Sequence, residues 1–237
     1  MSLTSKQGQA NNMSFGKAQE DFNNKFQQMM AEKRKQVNSR LVLGVWGHPK
    51  TGKTGIALDF PDRPIYVLDW DKGVESTWRE HHEATERIQV YCPIEMNKDN
   101  VIDITKSEDN SHMFIKYVRS KIEEGEKPVF VLDGVDTWLD SCILKINPNP
   151  TLVTKVMPYQ YGARNKTFYH LLDSIYLLDC DVIYITHETE KYQDGSPVGM
   201  IANWKDWGGK LEQEIHCSRK KVKGEMHYLA ELVQLLN

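Results

Sequence analysis

The sequence has few cysteines, no strong charge of either sign and no long apolar segment. Its four cysteines are scattered without a C-x-x-C pair, which argues against a metal cluster and predicts small buried side chains. No apolar run reaches the roughly eighteen residues of a membrane-spanning helix, so we expect no membrane partner. Residues 1–7 lack the apolar core of a signal peptide, which predicts a cytoplasmic protein. The net charge of −3 differs from the basic balance of dedicated nucleic-acid binders, so such binding would need local patches or many subunits.

The composition predicts one globular α/β domain with an appendage. The hydrophobic fraction of 40% and the charged fraction of 27% are ordinary for a folded chain of 237 residues. Residues 1–12 are polar and are expected to be disordered. From residue 14 to about residue 35, apolar residues recur at helical spacing, which predicts an amphipathic helix that packs on its own domain or on a neighbouring subunit. The predicted organisation is a disordered tail and helical arm over residues 1–38, followed by a folded domain over residues 39–237.

Residues 47–54 match the phosphate-binding pattern G-x-x-x-x-G-K-[ST] without a mismatch. A predicted buried strand precedes them and a predicted helix begins at Lys53, an order that lets backbone N–H groups surround phosphate oxygens. We expect Lys53 to reach the β- and γ-phosphates and the Thr54 hydroxyl to bind Mg²⁺. The sequence therefore predicts a site for ATP and Mg²⁺. The residues predicted to hold the nucleotide are Gly47, His48, Pro49, Lys50, Thr51, Gly52, Lys53, Thr54 and Gly55.

A second apolar segment, Val129 to Leu132, ends at Asp133. Its continuous apolar character predicts a central strand of a parallel sheet that is covered on both faces. The carboxyl edge of such a sheet is where α/β proteins bind ligands, so Asp133 is predicted to support Mg²⁺ directly or through water. Further strands are predicted at residues 65–69, 88–92 and 181–186, with helices between them. The predicted fold class is therefore α/β, with a mainly parallel sheet and helices on both faces.

The other predicted elements are helices, polar loops and one terminal hairpin. The polar loops are predicted at residues 97–111, 145–161 and 189–210, and the helices at residues 112–124 and 163–178. Residues 214–235 predict a β-hairpin whose first arm is basic.

The residue after Asp133 is Gly134, where many P-loop ATPases carry the glutamate that activates water. If the protein hydrolyses ATP quickly, the base has to come from elsewhere. The acidic loop over residues 69–75 is the obvious donor, with Asp71 or Glu75 reaching the γ-phosphate. The acids of this loop could equally cap the helix that follows.

The chain resembles the RecA-like recombinase core, and more narrowly the RecA-like phage nucleotide-binding proteins of single-strand annealing and recombination. The resemblance covers roughly residues 40–222 and is carried by segments 47–54, 68–73, 131–135, 160–162, 185–188 and 208–211. It implies a RecA-like P-loop NTPase core over residues 39–237, with an N-terminal helical arm and a C-terminal β-hairpin. It also implies that Asp71 is the general base, with Glu75 second, and that His187 contacts the γ-phosphate. His187 could equally be a hydrogen-bonded structural residue.

The resemblance further implies assembly on DNA. In RecA-like filaments, cations of one subunit complete the ATP site of its neighbour, and Arg219 and Lys221 are the corresponding candidates here. The loops after the Asp133 region and after the strand that ends near His187 line the filament axis in that family. Lysines and aromatic residues in these loops suit single-stranded DNA. The basic candidates are Lys155, Arg164, Lys166, Lys191, Lys205 and Lys210, and the aromatic ones are Tyr159, Tyr161, Tyr192, Trp204 and Trp207.

Together these features predict a slow, DNA-stimulated and Mg²⁺-dependent ATPase. It would assemble on single-stranded DNA as a filament or ring and assist annealing or strand exchange, in a bacterial cytoplasm if phage-encoded. A single-strand-binding protein is a further expected partner. Two alternatives stay open: a P-loop kinase of a small metabolite or nucleotide, and an ATP-gated binding protein with negligible hydrolysis. The kinase would need an arginine-bearing lid, and residues 189–210 contain no arginine.

Overall fold

The computed structural model describes residues 20–29, 40–60, 62–81, 86–147, 158–204 and 206–235. The chain divides into two compact units, Met1–Arg40 and Leu41–Asn237. In the first unit, residues 20–29 form a helix, α1, in which the rings of Phe22 and Phe26 stack with centroids 6.3 Å apart. The predicted disordered tail and both ends of the predicted helical arm lie outside the described residues.

The second unit is built on an eight-stranded sheet in the order β3-β2-β4-β5-β1-β7-β8, with β6 paired to β5. The five pairs among β1, β2, β3, β4, β5 and β7 are parallel, whereas β5–β6 and β7–β8 are antiparallel. The strands are β1 (Val42–Gly47), β2 (Ile65–Asp69), β3 (Ile88–Tyr91), β4 (Val129–Asp133), β5 (Asp181–Gln193), β6 (Ser196–Ala202), β7 (Gln213–Val222) and β8 (Glu225–Leu235).

Helices connect the parallel strands, as right-handed crossover units require. They are α2 (Lys53–Leu58), α3 (Val74–His81), α4 (Ile104–Glu123), α5 (Val135–Ser141) and α6 (Tyr161–Tyr176). Short 3₁₀ helices cover Cys142–Lys145, Pro158–Gln160 and Gly208–Lys210. No helix among the described residues combines the length and apolarity needed to cross a bilayer.

Each face of the sheet has its own apolar core, which is why the central strands read as continuous apolar runs. On β4, Phe130 and Leu132 belong to the core beneath α4, α5 and α6. Val129 and Val131 belong to the core on the opposite face, which includes Leu58 of α2. The predicted α/β fold, with a mainly parallel sheet covered on both faces and a C-terminal hairpin, is confirmed.

The strand register brings the predicted site residues to one edge of the sheet. Asp69 at the end of β2 is paired with Asp133 at the end of β4. Gly47 at the end of β1 is paired with His187 of β5, and β5 lies between β1 and β4. Because parallel strands end at the same edge, residues far apart in sequence surround one cleft.

Two of the predicted loops are wrong in part. Residues 189–202 form a hairpin of β5 and β6 rather than a polar loop, and Asp194 and Gly195 make its turn with φ of 50° and 79°. An Asp-Gly pair with positive φ at both positions is a preferred two-residue hairpin turn. This local signal is present in the sequence, but the polar composition of the segment favoured the prediction of a loop.

Helix α4 begins at Ile104 rather than at residue 112, because the Asp103 side chain accepts a hydrogen bond from the Lys106 N–H.

The polar residues of this first part of α4 are buried. Ser107 and Ser111 are fully buried and donate hydrogen bonds to the carbonyls of Asp103 and Ser107. Because the buried face of this part of α4 contains serine, the sequence predicted a polar loop there instead of a helix. Among the cysteines, Cys142, Cys180 and Cys217 are buried as predicted, whereas Cys92 is exposed.

Candidate functional site

The backbone of the phosphate-binding loop requires glycine at two of its pattern positions. A Cβ on Gly47 would lie 2.0 Å from the Cys217 carbonyl oxygen on β7, so only glycine fits between β1 and β7 there. Gly52 precedes α2 with a φ of 87°, in the left-handed region that favours glycine. The loop between them encloses Lys53, which follows as the first residue of α2.

Lys53 is held at the centre of this loop. Its ammonium group donates hydrogen bonds of 3.0 Å to the carbonyls of Gly47 and of His48. The side chain is buried, and burial lowers the pKa of Lys53, while the carboxylate of Asp133 opposes that shift. A buried cation among backbone dipoles is suited to an anionic ligand, whose charge would offset the cost of desolvating the ammonium.

Thr54 and Asp133 meet across the cleft. The Thr54 hydroxyl donates a 2.9 Å hydrogen bond to Oδ2 of Asp133. Burial raises the pKa of Asp133 to about 7, with a further contribution from Asp69 and Asp71. A hydroxyl and a carboxylate that face each other in this way are the hard oxygen donors that Mg²⁺ prefers, so the donor set fits that ion.

The two aspartates that follow β2 have different roles. Asp69 is buried and accepts hydrogen bonds from the N–H groups of Gly73 and Val74, so it caps α3. Asp71 instead lines the cleft, where its carboxylate accepts a hydrogen bond from the Thr137 hydroxyl of α5. Only Asp71 is therefore placed to approach the phosphates.

Glu75 is turned away from the phosphate-binding loop. It pairs with Arg79 one turn along α3 and lines a separate cavity of about 350 Å³ together with Lys72 and Trp78. Glu80 of the same helix lines the cleft of the phosphate-binding loop instead. The structure does not bring Glu75 to the site, and it adds Glu80, which the sequence analysis missed.

His187 lies at the end of the cleft in a network with two carboxylates. Its Nδ1 is 2.9 Å from Oδ2 of Asp136 and 3.7 Å from Oδ2 of Asp71. Asp136 also accepts hydrogen bonds from the Thr186 hydroxyl and from the His187 N–H. The hydrogen bond with Asp136 raises the pKa of His187, and the same contact lowers the pKa of Asp136 against the effect of its burial.

Asp136 belongs to the hydrogen-bond network of His187 and has no motif of its own in the sequence. It lies in the first turn of α5, three residues after Asp133, and it orients the imidazole of His187 from the neighbouring strand end. The three-residue spacing from Asp133 could have predicted its position, because the first turn of a helix that follows β4 lies beside the end of β5.

The phosphate-binding loop, Asp71, Asp133 and His187 line one open cleft of about 600 Å³. Its lining includes one residue that lies far from every motif, Tyr228 of β8, whose ring would lie 3.9 Å from a Cβ on Gly52. The other lining residues are Pro49, Lys50, Thr51, Gly52, Lys53, Thr54, Gly55, Asp71, Gly73, Ser76, Thr77, Glu80, Asp133 and His187. Of the predicted nucleotide-binding residues, Gly47 and His48 form the base of the loop without lining the cleft.

The predicted in-trans cations lie on β7, beyond the end of β1. Arg219 is paired with Tyr228 and Lys221 with Met226, and both basic residues are exposed. Directly paired residues of antiparallel strands share a face of the sheet, so Arg219 lies on the face from which Tyr228 reaches the cleft. Neither cation lines the cleft of its own chain.

The predicted DNA-contacting cations are divided among several elements. Lys191 lies on β5 within the hairpin and Lys166 on α6, and both are exposed. Arg164 lies over the ring of Tyr161 at 4.7 Å from its centroid. Lys155 and Lys205 lie outside the described residues.

Lys210 and the two tryptophans predicted to contact DNA, Trp204 and Trp207, make contacts within the folded domain. The Lys210 ammonium pairs with Asp173 and lies 4.3 Å from the ring centroid of Trp207. Trp204 and Trp207 are buried in the core, so the expectation that they stack on bases is wrong. Tyr159, Tyr161 and Tyr192 are exposed.

Residues 39–234 match the model of a protein family described as AAA domain. Among solved structures, the chain is similar to a KaiC-like protein from the hyperthermophilic archaeon Pyrococcus horikoshii OT3. The identity is 10%, the TM-score is 0.47, and the match covers 81% of this chain and 79% of that chain. No match was found among curated proteins.

Proposed function

This chain belongs to the AAA domain family. We propose that it is a Mg²⁺-dependent ATPase and that it acts on single-stranded DNA. One observation supports the ATPase above all: Lys53, Thr54, Asp133, Asp71 and His187 line one cleft although they come from four separate parts of the chain. A buried ammonium, a pair of Mg²⁺-binding oxygens and a further carboxylate are the groups that phosphoryl transfer from ATP to water requires.

Each residue has a role that follows from its position. Lys53 and the loop backbone bind the β- and γ-phosphates, and Thr54 and Asp133 hold Mg²⁺ beside them. Mg²⁺, when bound, neutralises charge on the phosphate oxygens. Asp71 orients the attacking water and accepts its proton, and Thr137 fixes the carboxylate for that purpose. His187, whose pKa is raised by its hydrogen bond with Asp136, donates to the γ-phosphate.

Substitution of Lys53 and Asp71 tests this assignment. Lys53→Ala should abolish ATP binding, measured by titration calorimetry, because no other described cation lies at the centre of the loop. Asp71→Asn should retain ATP binding and lose turnover by about 100-fold or more, the size typical of a lost general base.

Glu75→Gln is the matched control, because Glu75 is an acid of the same segment that lines a different cavity. It should leave turnover unchanged. ATP affinity that survives Lys53→Ala would overturn the nucleotide site, and a loss of turnover in Glu75→Gln would move the base to that residue.

The DNA assignment rests on exposed aromatic and basic residues of the β5–β6 hairpin and the start of α6. Tyr192 is 60% exposed beside Lys191, and Tyr159 is 78% exposed two residues before Tyr161. Exposed aromatic rings with adjacent cations suit unstacked bases and their phosphates, whatever the base sequence. A chain with a net charge of −3 needs many copies on one strand for tight binding, so we propose a homo-oligomer that assists annealing or strand exchange.

ATPase measurements with and without a long single strand test the DNA assignment. Stimulation by single-stranded DNA that is lost in Lys191→Ala and Tyr192→Ala supports it, and Lys116→Ala, an exposed lysine on α4, is the matched control. Phosphate transfer to a small acceptor would instead show a kinase. Binding of ATP with no hydrolysis under either condition would show an ATP-gated binding protein.

A further inference from the structure

A second cluster of ligating side chains lies outside the ATP cleft, between α4 and α6. Glu108 and His112 are four residues apart on α4, and His170 lies on α6, which packs against α4. Residues at this spacing share one face of a helix. One ligand atom from each of the three side chains lies within 4.8 Å of the other two.

The two imidazole rings of the cluster lie close together without bonding to each other. The imidazole rings of His112 and His170 are 4.8 Å apart with an interplanar angle of 52°, so they are neither stacked nor hydrogen-bonded to each other. Nε2 of His112 is buried and has no hydrogen-bond partner among the described residues. A buried polar atom without a partner costs free energy, and a bound ion would satisfy it.

The carboxylate of Glu108 is oriented toward the histidines. Glu108 is only 8% exposed, and its two oxygens face different partners. Oε2 accepts a hydrogen bond from the Lys145 ammonium, and Oε1 lies 3.8 Å from Nδ1 of His170. Lys145 therefore fixes the carboxylate through one oxygen and leaves the other directed at the two imidazoles, as residues that support metal ligands commonly do.

We propose that Glu108, His112 and His170 form a binding site for a transition-metal ion of the Zn²⁺ type. Two imidazoles and one carboxylate are a frequent three-residue ligand set for Zn²⁺, with a fourth position left to water. Tetrahedral Zn²⁺ requires ligand atoms about 3.3 Å apart, so the side chains would have to move closer than the 4.8 Å within which their ligand atoms lie. The His170 side chain, which is 67% exposed, has room to rotate toward the other two ligands. Calcium and magnesium are disfavoured because imidazole nitrogen is a poor ligand for them.

The site would connect α6 to α4. Helix α6 follows residues 148–157 and carries Arg164 and Lys166, two of the proposed DNA-contacting cations. A metal ion that joins the two helices would stabilise the position of α6 relative to the sheet. The proposal does not depend on the ATPase assignment, because none of its residues lines the ATP cleft.

Metal titration of the full-length, untagged chain tests the site. One equivalent of Zn²⁺ is expected to bind by titration calorimetry. An excess of about 100-fold over the dissociation constant should raise the Tm by roughly 5 °C or more. Co²⁺ should give a visible absorption band of a four-coordinate nitrogen and oxygen site, which separates this cluster from an octahedral carboxylate site.

Two variants and one control make the result specific. His170→Ala removes an exposed ligand, so it should fold normally and lose both the Tm shift and the Co²⁺ band. Glu108→Gln should weaken binding at least tenfold, because the amide oxygen is a poorer ligand than the carboxylate. His227→Ala on β8 is the matched control and should leave both signals unchanged.

The competing outcome is binding at the ATP cleft, where Asp71, Asp136 and His187 also lie close together. A Zn²⁺-induced Tm shift that persists in His170→Ala would show that the ion binds without this ligand and would overturn the proposal. Absence of any shift or absorption band in the unaltered chain would overturn it as well.

Discussion

At the scale of single residues, Asp133 is a buried carboxylate whose pKa is raised to about 7, chiefly by desolvation. An acid whose pKa is higher in the folded than in the unfolded chain stabilises the fold in its protonated form. That contribution is fully present below the unfolded pKa of about 4 and is lost as the pH rises to about 7. The metal-free protein should therefore lose stability across this window.

Asp133→Asn should remove that pH dependence. We expect the variant to exceed the unaltered protein in free energy of unfolding at pH 8 by on the order of a few kcal/mol without Mg²⁺. At pH 4 the two should be equally stable. Urea unfolding at both pH values measures the difference, and a gap that is the same at pH 4 and pH 8 would contradict the assignment.

The Asp136–His187 contact makes a second prediction at this scale. Because the hydrogen bond with Asp136 raises the pKa of His187, Asp136→Asn should lower that pKa, measured by NMR titration of the imidazole. The alkaline limb of the ATPase pH profile should move to lower pH in the same variant. A merely structural histidine would leave the pH profile unmoved.

The sign of the stability effect follows from both shifts. Asp136 has a lowered pKa, so its contribution is lost as the pH falls through that value; His187 has a raised pKa, so its contribution is lost as the pH rises through it. The cost of Asp136→Asn should therefore be greatest in mildly acidic solution and smaller at pH 9. Unfolding curves across that range provide the measurement.

At the scale of elements, the junction of β4 and α5 explains why no glutamate follows Asp133. Gly134 has a φ of 91°, and a Cβ there would lie 2.8 Å from the backbone nitrogen of Asp71 and 2.9 Å from its Oδ1. Asp71 therefore occupies the space that a side chain at position 134 would need. A side chain at position 134 and the Asp71 carboxylate therefore cannot both be accommodated. In this protein the carboxylate that lines the cleft is that of Asp71, from the β2–α3 loop.

Gly134→Ala should displace Asp71. We expect a loss of stability of about 1–3 kcal/mol from the strained backbone, and a loss of ATPase activity similar to that of Asp71→Asn. Gly162→Ala on α6 is the matched control, because a Cβ there meets no atom within 4 Å. It should be neutral or stabilising by up to about 1 kcal/mol. Full activity in Gly134→Ala would show that Asp71 is not held by this junction.

At the scale of the whole molecule, the position of Arg219 suits completion of the ATP site of a neighbouring chain. Arg219 lies on the exposed part of β7, on the same face as Tyr228 but without lining its own cleft. In a homo-oligomer, such a cation is available to the next subunit, where it would stabilise charge on the γ-phosphate.

Mixing of two inactive variants tests this arrangement. Lys53→Ala subunits keep Arg219 but bind no ATP, and Arg219→Ala subunits bind ATP but lack the cation. If Arg219 acts in trans, the mixture should recover ATPase activity, since some Arg219→Ala sites gain an arginine from their neighbour. If it acts within its own chain, the mixture should stay as inactive as either variant alone.

The sequence by itself determined the features that depend on residues close together in the chain. The phosphate-binding loop is one continuous segment whose backbone conformation follows from its glycines, so Lys53 and Thr54 were found directly. The apolar run that ends at Asp133 predicted a central strand because both faces of that strand are buried. Apolar strands that alternate with predicted helices in the same way predicted the α/β fold.

Only the tertiary structure decided between side chains that the sequence leaves equivalent. Asp69, Asp71 and Glu75 lie within one acidic segment, yet the first caps α3, the second enters the cleft and the third faces another cavity. The backbone turns at Lys72, between Asp71 and Glu75, with a φ of 55°. Tyr228 reaches the cleft, and Asp136 contacts His187 behind it, through strand order and pairing between distant segments. Local pattern fixes what a segment can form, whereas contact across the sheet fixes which side chains meet.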